Sequence, residues 1–161
     1  MSQDSKLIEE KISLIKNWDD FASLTYSHGV FPLVYQVLKK YEDKISENIL
    51  SYMKSIYMDI VKYNMLLTSE LIKIMKVLEK NDIKAIAFKG STLAQHAYGD
   101  ITLRQYVDLD VLVHIDNIDK TILLFNNNNY LNTLNLTNYE IDFRKKNFHE
   151  ISFHNKSNNI A

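Results

Sequence analysis

Two apolar segments, each followed or interrupted by polar residues, decide how this chain is interpreted. Residues 83–91 read Ile-Lys-Ala-Ile-Ala-Phe-Lys-Gly-Ser, and residues 107–113 read Val-Asp-Leu-Asp-Val-Leu-Val. The apolar runs predict one strand over residues 83–88 and a second over residues 107–115. Between them, Ser91 is predicted to cap a helix that extends to Tyr98.

The second segment places two carboxylates two residues apart, at Asp108 and Asp110. Because side chains alternate along a strand, both are predicted to point to the same face. Like charges side by side repel, and a divalent metal bound to nucleotide phosphates is the most economical explanation. Arg104, four residues earlier, is expected to pair with a carboxylate or contact a phosphate through its planar fork of donors.

The Gly-Ser turn suits an anion. Gly90 lets the backbone approach a phosphate, and Ser91 offers a hydroxyl together with the unpaired amides at a helix start. The ordinary interpretations stay open for each part: Gly-Ser as a simple cap, the Asp pair as solvent-facing, Lys89 as a solvated charge, and His96 and His114 as surface histidines. The combination in this order is much rarer than its parts.

Composition limits the class of protein. With 161 residues, 46% apolar and 24% charged, the chain is typical of one globular domain, and its net charge of −1 gives no overall attraction to nucleic acid or anionic membranes. The absence of cysteine excludes thiolate metal sites. No long apolar stretch or signal region is found, so we expect a cytoplasmic protein that does not enter a membrane.

Residues 1–80 are predicted to form a helical N-terminal region. Helices are expected around residues 7–15, 19–28 and 31–41, with Gly29 ending the second and Pro32 in the first turn of the third. Residues 45–80 contain neither Gly nor Pro and predict one long helix, or two helices with a kink, closed by Asn81-Asp82.

Residues 81–161 are predicted to form a smaller α/β core. Asp116 or Asn117 is expected to cap a helix through residues 122–124, and the asparagines at 126–129 to end it in a turn. Residues 130–136 are ambiguous, and residues 149–154 alternate as a half-buried strand does. The predicted fold class is therefore α+β.

This order resembles the nucleotidyltransferase superfamily that includes DNA polymerase beta and the aminoglycoside nucleotidyltransferases. It is most similar to a branch of uncharacterised bacterial nucleotidyltransferases with a helical N-terminal region, and the similarity covers nearly the whole chain. The matching segments are Phe88-Lys89-Gly90-Ser91-Thr92-Leu93-Ala94, Tyr98-Gly99-Asp100, Arg104, Asp108-Leu109-Asp110-Val111-Leu112-Val113, Trp18, His28-Gly29-Val30-Phe31-Pro32-Leu33 and Asn81-Asp82-Ile83-Lys84.

The resemblance implies a small mixed sheet flanked by helices and the transfer of a nucleoside monophosphate from a nucleoside triphosphate. Asp108 and Asp110 would bind Mg²⁺ or Mn²⁺ and act in catalysis. Lys89, Gly90, Ser91 and Arg104 would bind the nucleotide. The acceptor, whether a small molecule, a protein or RNA, is not specified.

The superfamily usually has a third carboxylate on a later strand, and in this branch it is expected just beyond residues 149–154. The chain ends there, so we expect it to be truncated at its C-terminus. Candidates to replace this third carboxylate are Glu140, Asp142 and Glu150, which match it in charge and in nothing else. Loss of a general base typically costs about 10²–10⁴-fold in rate. An exposed sheet edge would also invite self-association.

Three hypotheses follow: a metal-dependent nucleotidyltransferase or its N-terminal fragment, a non-catalytic metal–nucleotide-binding remnant that acts as an interaction or regulatory module, and a structural domain whose Asp pair is incidental.

Overall fold

The structure is a computed structural model and describes residues 3–132, 137–147 and 150–156. Its helices are α1 (Gln3–Ser13), α2 (Trp18–Ser27), α3 (Phe31–Leu38), α4 (Glu47–Lys80), α5 (Gly90–Tyr98), α6 (Ile118–Asn127) and α7 (Asn138–Asn147). Its strands are β1 (Ala85–Phe88), β2 (Asp110–Val113), β3 (Tyr130–Asn132) and β4 (Phe153–Asn155). Short 3-10 segments lie at Lys39–Lys44 and Ile115–Asn117.

Helix α2 lies within one residue of its predicted bounds, whereas α1 begins at Gln3 and ends at Ser13 rather than spanning residues 7–15. The side chain of Asn17 accepts hydrogen bonds from the amides of Asp19 and Asp20 at 3.0 and 3.2 Å, which caps α2. Gly29 follows α2 with a φ of +68°, a conformation that glycine adopts without strain. The predicted third helix is shorter than expected, because α3 ends at Leu38 and continues as a 3-10 segment interrupted at Tyr41.

Residues 47–80 form one continuous helix, which decides between the two predicted alternatives. At 34 residues, α4 is about 51 Å long. Its buried positions from Ile60 onward include Asn64, Leu67, Leu71, Ile74 and Leu78, and these recur every three to four residues as an amphipathic helix requires. Asp82 takes a φ of 56° in the turn that follows.

The contacts divide the chain into two compact units. The first comprises residues 1–66 and 91–106, and the second comprises residues 67–90 and 107–161. In the first unit, α1, α2, α3 and the early part of α4 enclose a core that includes Ala22, Phe31 and Met53. The predicted division into a region at 1–80 and a core at 81–161 stays a prediction.

The second unit carries the strands. β1 pairs antiparallel with β2 in the register Ala85↔Val113 to Phe88↔Asp110, and β3 pairs antiparallel with β4. Ile74, Leu78, Ile83 and Tyr130 form the buried core of this unit. The predicted α+β class is confirmed. In the described residues the strands pair only antiparallel, so that part of the chain lacks the parallel pairing of a mixed sheet.

The structure corrects four predicted boundaries, of which the first is the strand predicted at 83–88, observed only at Ala85–Phe88. The predicted strand at 107–115 is only Asp110–Val113, so Asp108 lies in an irregular segment before it. Helix α5 begins at Gly90 rather than after Ser91, which places Ser91 inside the first turn instead of at the cap. The predicted strand at 149–154 is Phe153–Asn155, and His149 lies outside the described residues.

Helix α7 was missed by the sequence prediction, although a local signal for it exists. The Thr137 hydroxyl accepts from the Glu140 amide, and the Glu140 carboxylate accepts from the Thr137 amide at 2.8 Å. This reciprocal capping box is encoded by Thr-x-x-Glu. Of the ambiguous residues 130–136, those at 130–132 form β3 and the others lie outside the described residues.

None of the helices that the structure describes is both long enough and apolar enough to cross a membrane.

Candidate active site

The pairing of β1 with β2 brings Lys89 and Asp110 together in the second unit. Phe88 is the register partner of Asp110, so Lys89 follows directly beside that carboxylate. The Lys89 Nζ lies 3.3 Å from the Asp110 Oδ2, an ion pair without hydrogen-bond geometry. This oxygen is buried and accepts no hydrogen bond from the described residues. A carboxylate oxygen held in this way still has lone pairs for a metal or a phosphate-bound water.

The turn from β1 into α5 has an unusual backbone. Lys89 and Gly90 have φ values of 57° and 39°, so two consecutive residues occupy positive φ. Glycine reaches this region freely, whereas a lysine there is strained. Helix α5 starts immediately at Gly90, and its first amides have no partner within the helix. The turn at Lys89 and Gly90 is therefore a strained strand-to-helix connection, and its binding of phosphate stays a prediction.

Asp108 and Asp110 line one cavity of about 590 Å³ in the second unit, together with Lys89. We call it the apolar cavity because most of its wall is hydrocarbon. Apolar side chains from α4, β2, α6 and β4 contribute Ile74, Val111, Val113, Ile122, Phe125 and Phe153. The two predicted carboxylates thus share a concave site, although only Asp110 lies on the strand.

A second charged group lies elsewhere on the cavity wall. Lys145, on α7, is ion-paired with both Asp119 and Asp142. The hydrogen bond to Asp119 is the main cause of a raised Lys145 pKa, so this ammonium stays charged. Glu150 also lines the cavity, whereas Glu140 and Asp142 are not among its lining residues.

Ser91 and Arg104 belong to the first unit. Ser91 is buried in the first turn of α5. The Arg104 guanidinium stacks on the Tyr106 ring at 6.0 Å, and its Nη1 is buried without a hydrogen-bond partner in the described residues. A buried guanidinium nitrogen of this kind is suited to an anionic ligand.

The loop that carries Arg104 is held by a residue that the sequence analysis did not identify. Asn64, fully buried on α4, donates from its amide to the carbonyls of Ile101 and Arg104 at 2.9 and 2.8 Å. The Tyr106 hydroxyl donates to the Asn64 carbonyl at 3.2 Å. A polar residue on the apolar stripe of α4 was the signal that could have revealed it.

Glu70 is a second missed residue on the same helix, in the second unit, with 2% of its surface exposed. Its carboxylate accepts from the Tyr130 hydroxyl at 2.6 Å, from Asn155 and from Lys73. Burial raises the Glu70 pKa, but these hydrogen bonds and the Lys73 charge outweigh it and hold the pKa below its usual value. Burial and the bond to Glu70 raise the Tyr130 pKa well above normal.

The donor set of the cavity fits a magnesium ion. Within the described ranges, no group of three or more His, Asp or Glu side chains is arranged to hold a metal. Mg²⁺ does not need such a cage, because it is commonly bound by one or two carboxylates together with substrate phosphates and water. Asp108 and Asp110 match that requirement, and the orphaned Oδ2 of Asp110 is an available hard ligand.

The model of a family described as uncharacterised nucleotidyltransferase matches residues 16–159. The chain therefore belongs to this nucleotidyltransferase family, which confirms the predicted superfamily and supports transferase activity at that coarse level. Among curated proteins and among solved structures, no match was found.

Proposed function

We propose that this protein is a metal-dependent nucleotidyltransferase that transfers a nucleoside monophosphate from a nucleoside triphosphate to an acceptor hydroxyl. The observation that carries the proposal is the shared cavity of Asp108, Asp110 and Lys89, in which the Asp110 Oδ2 is buried without a hydrogen-bond donor. This oxygen is ion-paired with Lys89 but accepts no hydrogen bond from the described residues, so it can still coordinate a metal cation. Family membership supplies the reaction class.

The reaction needs positioning and charge neutralisation more than covalent chemistry from the protein. The acceptor oxygen forms a bond to the α-phosphorus, the bond to the β-phosphate breaks, pyrophosphate leaves, and the hydroxyl proton passes to water. Asp108 and Asp110 would hold Mg²⁺ or Mn²⁺, which supplies charge neutralisation of the phosphates and a lower pKa for the attacking hydroxyl.

The nucleotide-binding roles are assigned to four residues. Lys89 carries an ammonium beside Asp110 and would contact a phosphate oxygen once the carboxylate binds the metal. Gly90 allows close approach of the backbone at its positive φ. The assignments of Ser91 and Arg104 rest on the sequence motif, and Arg104 has in addition the unpartnered buried Nη1.

The test is a thermal shift with each nucleoside triphosphate, with and without Mg²⁺ or Mn²⁺. A ligand at about 100 times its Kd stabilises by about 2.7 kcal/mol, which is a shift of several degrees. We expect a metal-dependent shift in the wild type that Asp110→Asn abolishes. Asp116→Asn is the matched control, because this exposed carboxylate lies in the same unit and is not among the cavity-lining residues.

Turnover is measured separately, as incorporation of label from an α-phosphate-labelled nucleotide. Label transfer that depends on Asp110 supports the enzyme. A metal-dependent shift without transfer would favour the non-catalytic nucleotide-binding module. The described residues hold no group of three acidic or histidine side chains placed for a metal, which supports this alternative. No thermal shift with any nucleotide would contradict both the enzyme and the nucleotide-binding module.

A further inference from the structure

Most of the wall of the apolar cavity is hydrocarbon. Aliphatic and aromatic side chains from several helices and strands contribute to it, such as Ile74, Ile122, Phe125 and Phe153. Its volume of about 590 Å³ lies within the range of sites that enclose small organic ligands, about 300–1,000 Å³. Hydrocarbon walls of this size favour an apolar occupant through the release of water.

The uncharged polar side chains that the described residues contribute to this wall already have partners inside the protein. The Thr121 hydroxyl donates to the Asn117 carbonyl at 2.8 Å, the Tyr130 hydroxyl donates to Glu70, and the Ser152 hydroxyl donates to Glu150 at 3.2 Å. A nucleobase needs several hydrogen-bond partners along its edge, and one buried without them loses affinity. The cavity therefore favours a ligand that needs few hydrogen bonds.

The charges on the wall point the same way. Both lysines that line the cavity in the described part of the chain are ion-paired, Lys89 with Asp110 and Lys145 with Asp119 and Asp142. The lining also includes the carboxylates of Asp108 and Glu150. Lys89 is assigned to the nucleotide, so the described lining leaves an RNA acceptor only Lys145, which is already paired with two carboxylates, and such an acceptor would gain little from counterion release.

We propose that the apolar cavity holds the acceptor, and that this acceptor is a small apolar molecule whose single hydroxyl faces Asp108 and Asp110. The inference rests on the proposed function, because an acceptor exists only if the nucleotide is transferred. It deepens that function by naming the substrate class. The hydroxyl oxygen forms the new bond to the α-phosphorus, its proton passes to water and pyrophosphate leaves, while the hydrocarbon body stays against the wall.

The experiment uses the neutral fluorescent probe N-phenyl-1-naphthylamine, titrated into the full chain without nucleotide. We expect saturable binding that Ile118→Trp weakens by about tenfold, because an indole at this lining position takes up cavity space. Ile86→Trp is the matched control, because Ile86 is 66% exposed and is not among the lining residues. Ile115→Trp is a second variant that fills the cavity. Ile115 lines the cavity but is exposed, so its replacement should not disturb folding.

Competition then identifies the occupant. Short-chain aliphatic and aromatic alcohols should displace the probe, whereas adenosine, guanosine, cytidine, uridine and a short single-stranded RNA should not. Nucleoside triphosphate with Mg²⁺ should bind beside the probe without releasing it. Absence of probe binding, equal binding to both filling variants and the wild type, or displacement by nucleosides, nucleotide or RNA would each overturn the assignment.

The two proposals fail separately. Loss of the nucleotide-dependent thermal shift with intact probe binding would overturn the nucleotidyltransferase proposal, and with it the acceptor role. A normal nucleotide shift with displacement of the probe by nucleosides would overturn only the acceptor assignment and make the cavity the nucleoside site.

Discussion

At the residue scale, Lys89 occupies a conformation that its side chain disfavours. A non-glycine residue at positive φ costs about 1–2 kcal/mol, and such strain concentrates at functional sites. Lys89 has a φ of 57° directly before Gly90, and the strained turn places its ammonium 3.3 Å from Asp110. Asp82 has nearly the same φ, 56°, in the turn after α4, but is not among the cavity-lining residues. Variants at Lys89 and Asp82 can therefore separate the effect of backbone strain from the effect on nucleotide binding.

We expect Lys89→Gly to change the free energy of unfolding by less than about 1 kcal/mol, because relief of backbone strain offsets the loss of an ion pair whose lysine side chain is 56% exposed. The same variant should lose most of the metal-dependent nucleotide shift. Urea unfolding measures the first effect and thermal shift the second. Asp82→Gly relieves similar strain and should keep the nucleotide shift. A full nucleotide shift in Lys89→Gly would show that the ammonium has no role in binding.

At the element scale, α4 does more than supply an apolar stripe. Asn64 and Glu70 stand on its buried face, where a purely hydrophobic helix would carry leucine or isoleucine. Asn64 holds the loop at residues 101–106 in the first unit through two hydrogen bonds. A buried amide that satisfies two backbone carbonyls is expensive to remove, because both carbonyls remain without a donor.

Asn64→Ala is expected to lower the free energy of unfolding by about 3 kcal/mol, since each orphaned carbonyl costs about 1–3 kcal/mol. Amide hydrogen exchange should accelerate at residues 101–106, and the nucleotide Kd should rise if Arg104 binds phosphate. Asn64→Asp tests the donor directly, because its carboxylate cannot donate and should be at least as disruptive. Asn48→Ala, at an exposed position of the same helix, should change neither quantity. Unchanged amide hydrogen exchange at residues 101–106 in Asn64→Ala would show that Asn64 does not hold this loop.

At the scale of the whole molecule, the Glu70 network links stability to pH. Glu70 on α4 connects Tyr130 on β3 and Asn155 on β4 in the second unit. Its pKa is depressed in the folded state, where burial opposes ionisation but the hydrogen bonds to the carboxylate prevail. The corresponding stability is therefore present above the unfolded pKa of about 4.3 and is lost as pH falls through the lower folded value. Tyr130 has a raised pKa, so its contribution is lost as pH rises above about 10.

Glu70→Gln should lower the free energy of unfolding by about 2 kcal/mol at neutral pH, because hydrogen bonds to a charged group are worth about 1.5–3 kcal/mol. Between neutral pH and pH 3, the stability of the variant should also fall less than that of the wild type, as measured by urea unfolding across that range. Glu79→Gln, an exposed position on the same helix, should reproduce the wild-type profile. Parallel profiles for Glu70→Gln and the wild type would show that Glu70 does not control acid stability.

Local sequence was enough for much of this protein. Helical periodicity, the Asn17 cap, the Gly29 stop and the Gly-free run of α4 encode their elements within a few residues, because capping and amphipathic burial are short-range effects. The motif at residues 88–110 likewise carried the α+β class and the family, since both depend on residue order. Strand lengths were overestimated at Asp108 and at Glu150, because a strand extends only as far as a partner pairs with it.

Only the tertiary structure decided which residues meet. Neither periodicity nor motif indicates that Lys89 contacts Asp110, that Asn64 holds the carbonyl of Arg104, or that Glu70 is satisfied by Tyr130 across 60 residues of sequence. The tertiary structure also formed the apolar cavity around the predicted carboxylates from elements that are distant in sequence, namely α4, β1, β2, α6, β3, α7 and β4. The physical reason is that ladder pairing, buried hydrogen bonds and cavity walls depend on long-range packing, in which the favourable partner of each group is set by the fold rather than by its neighbours in the chain.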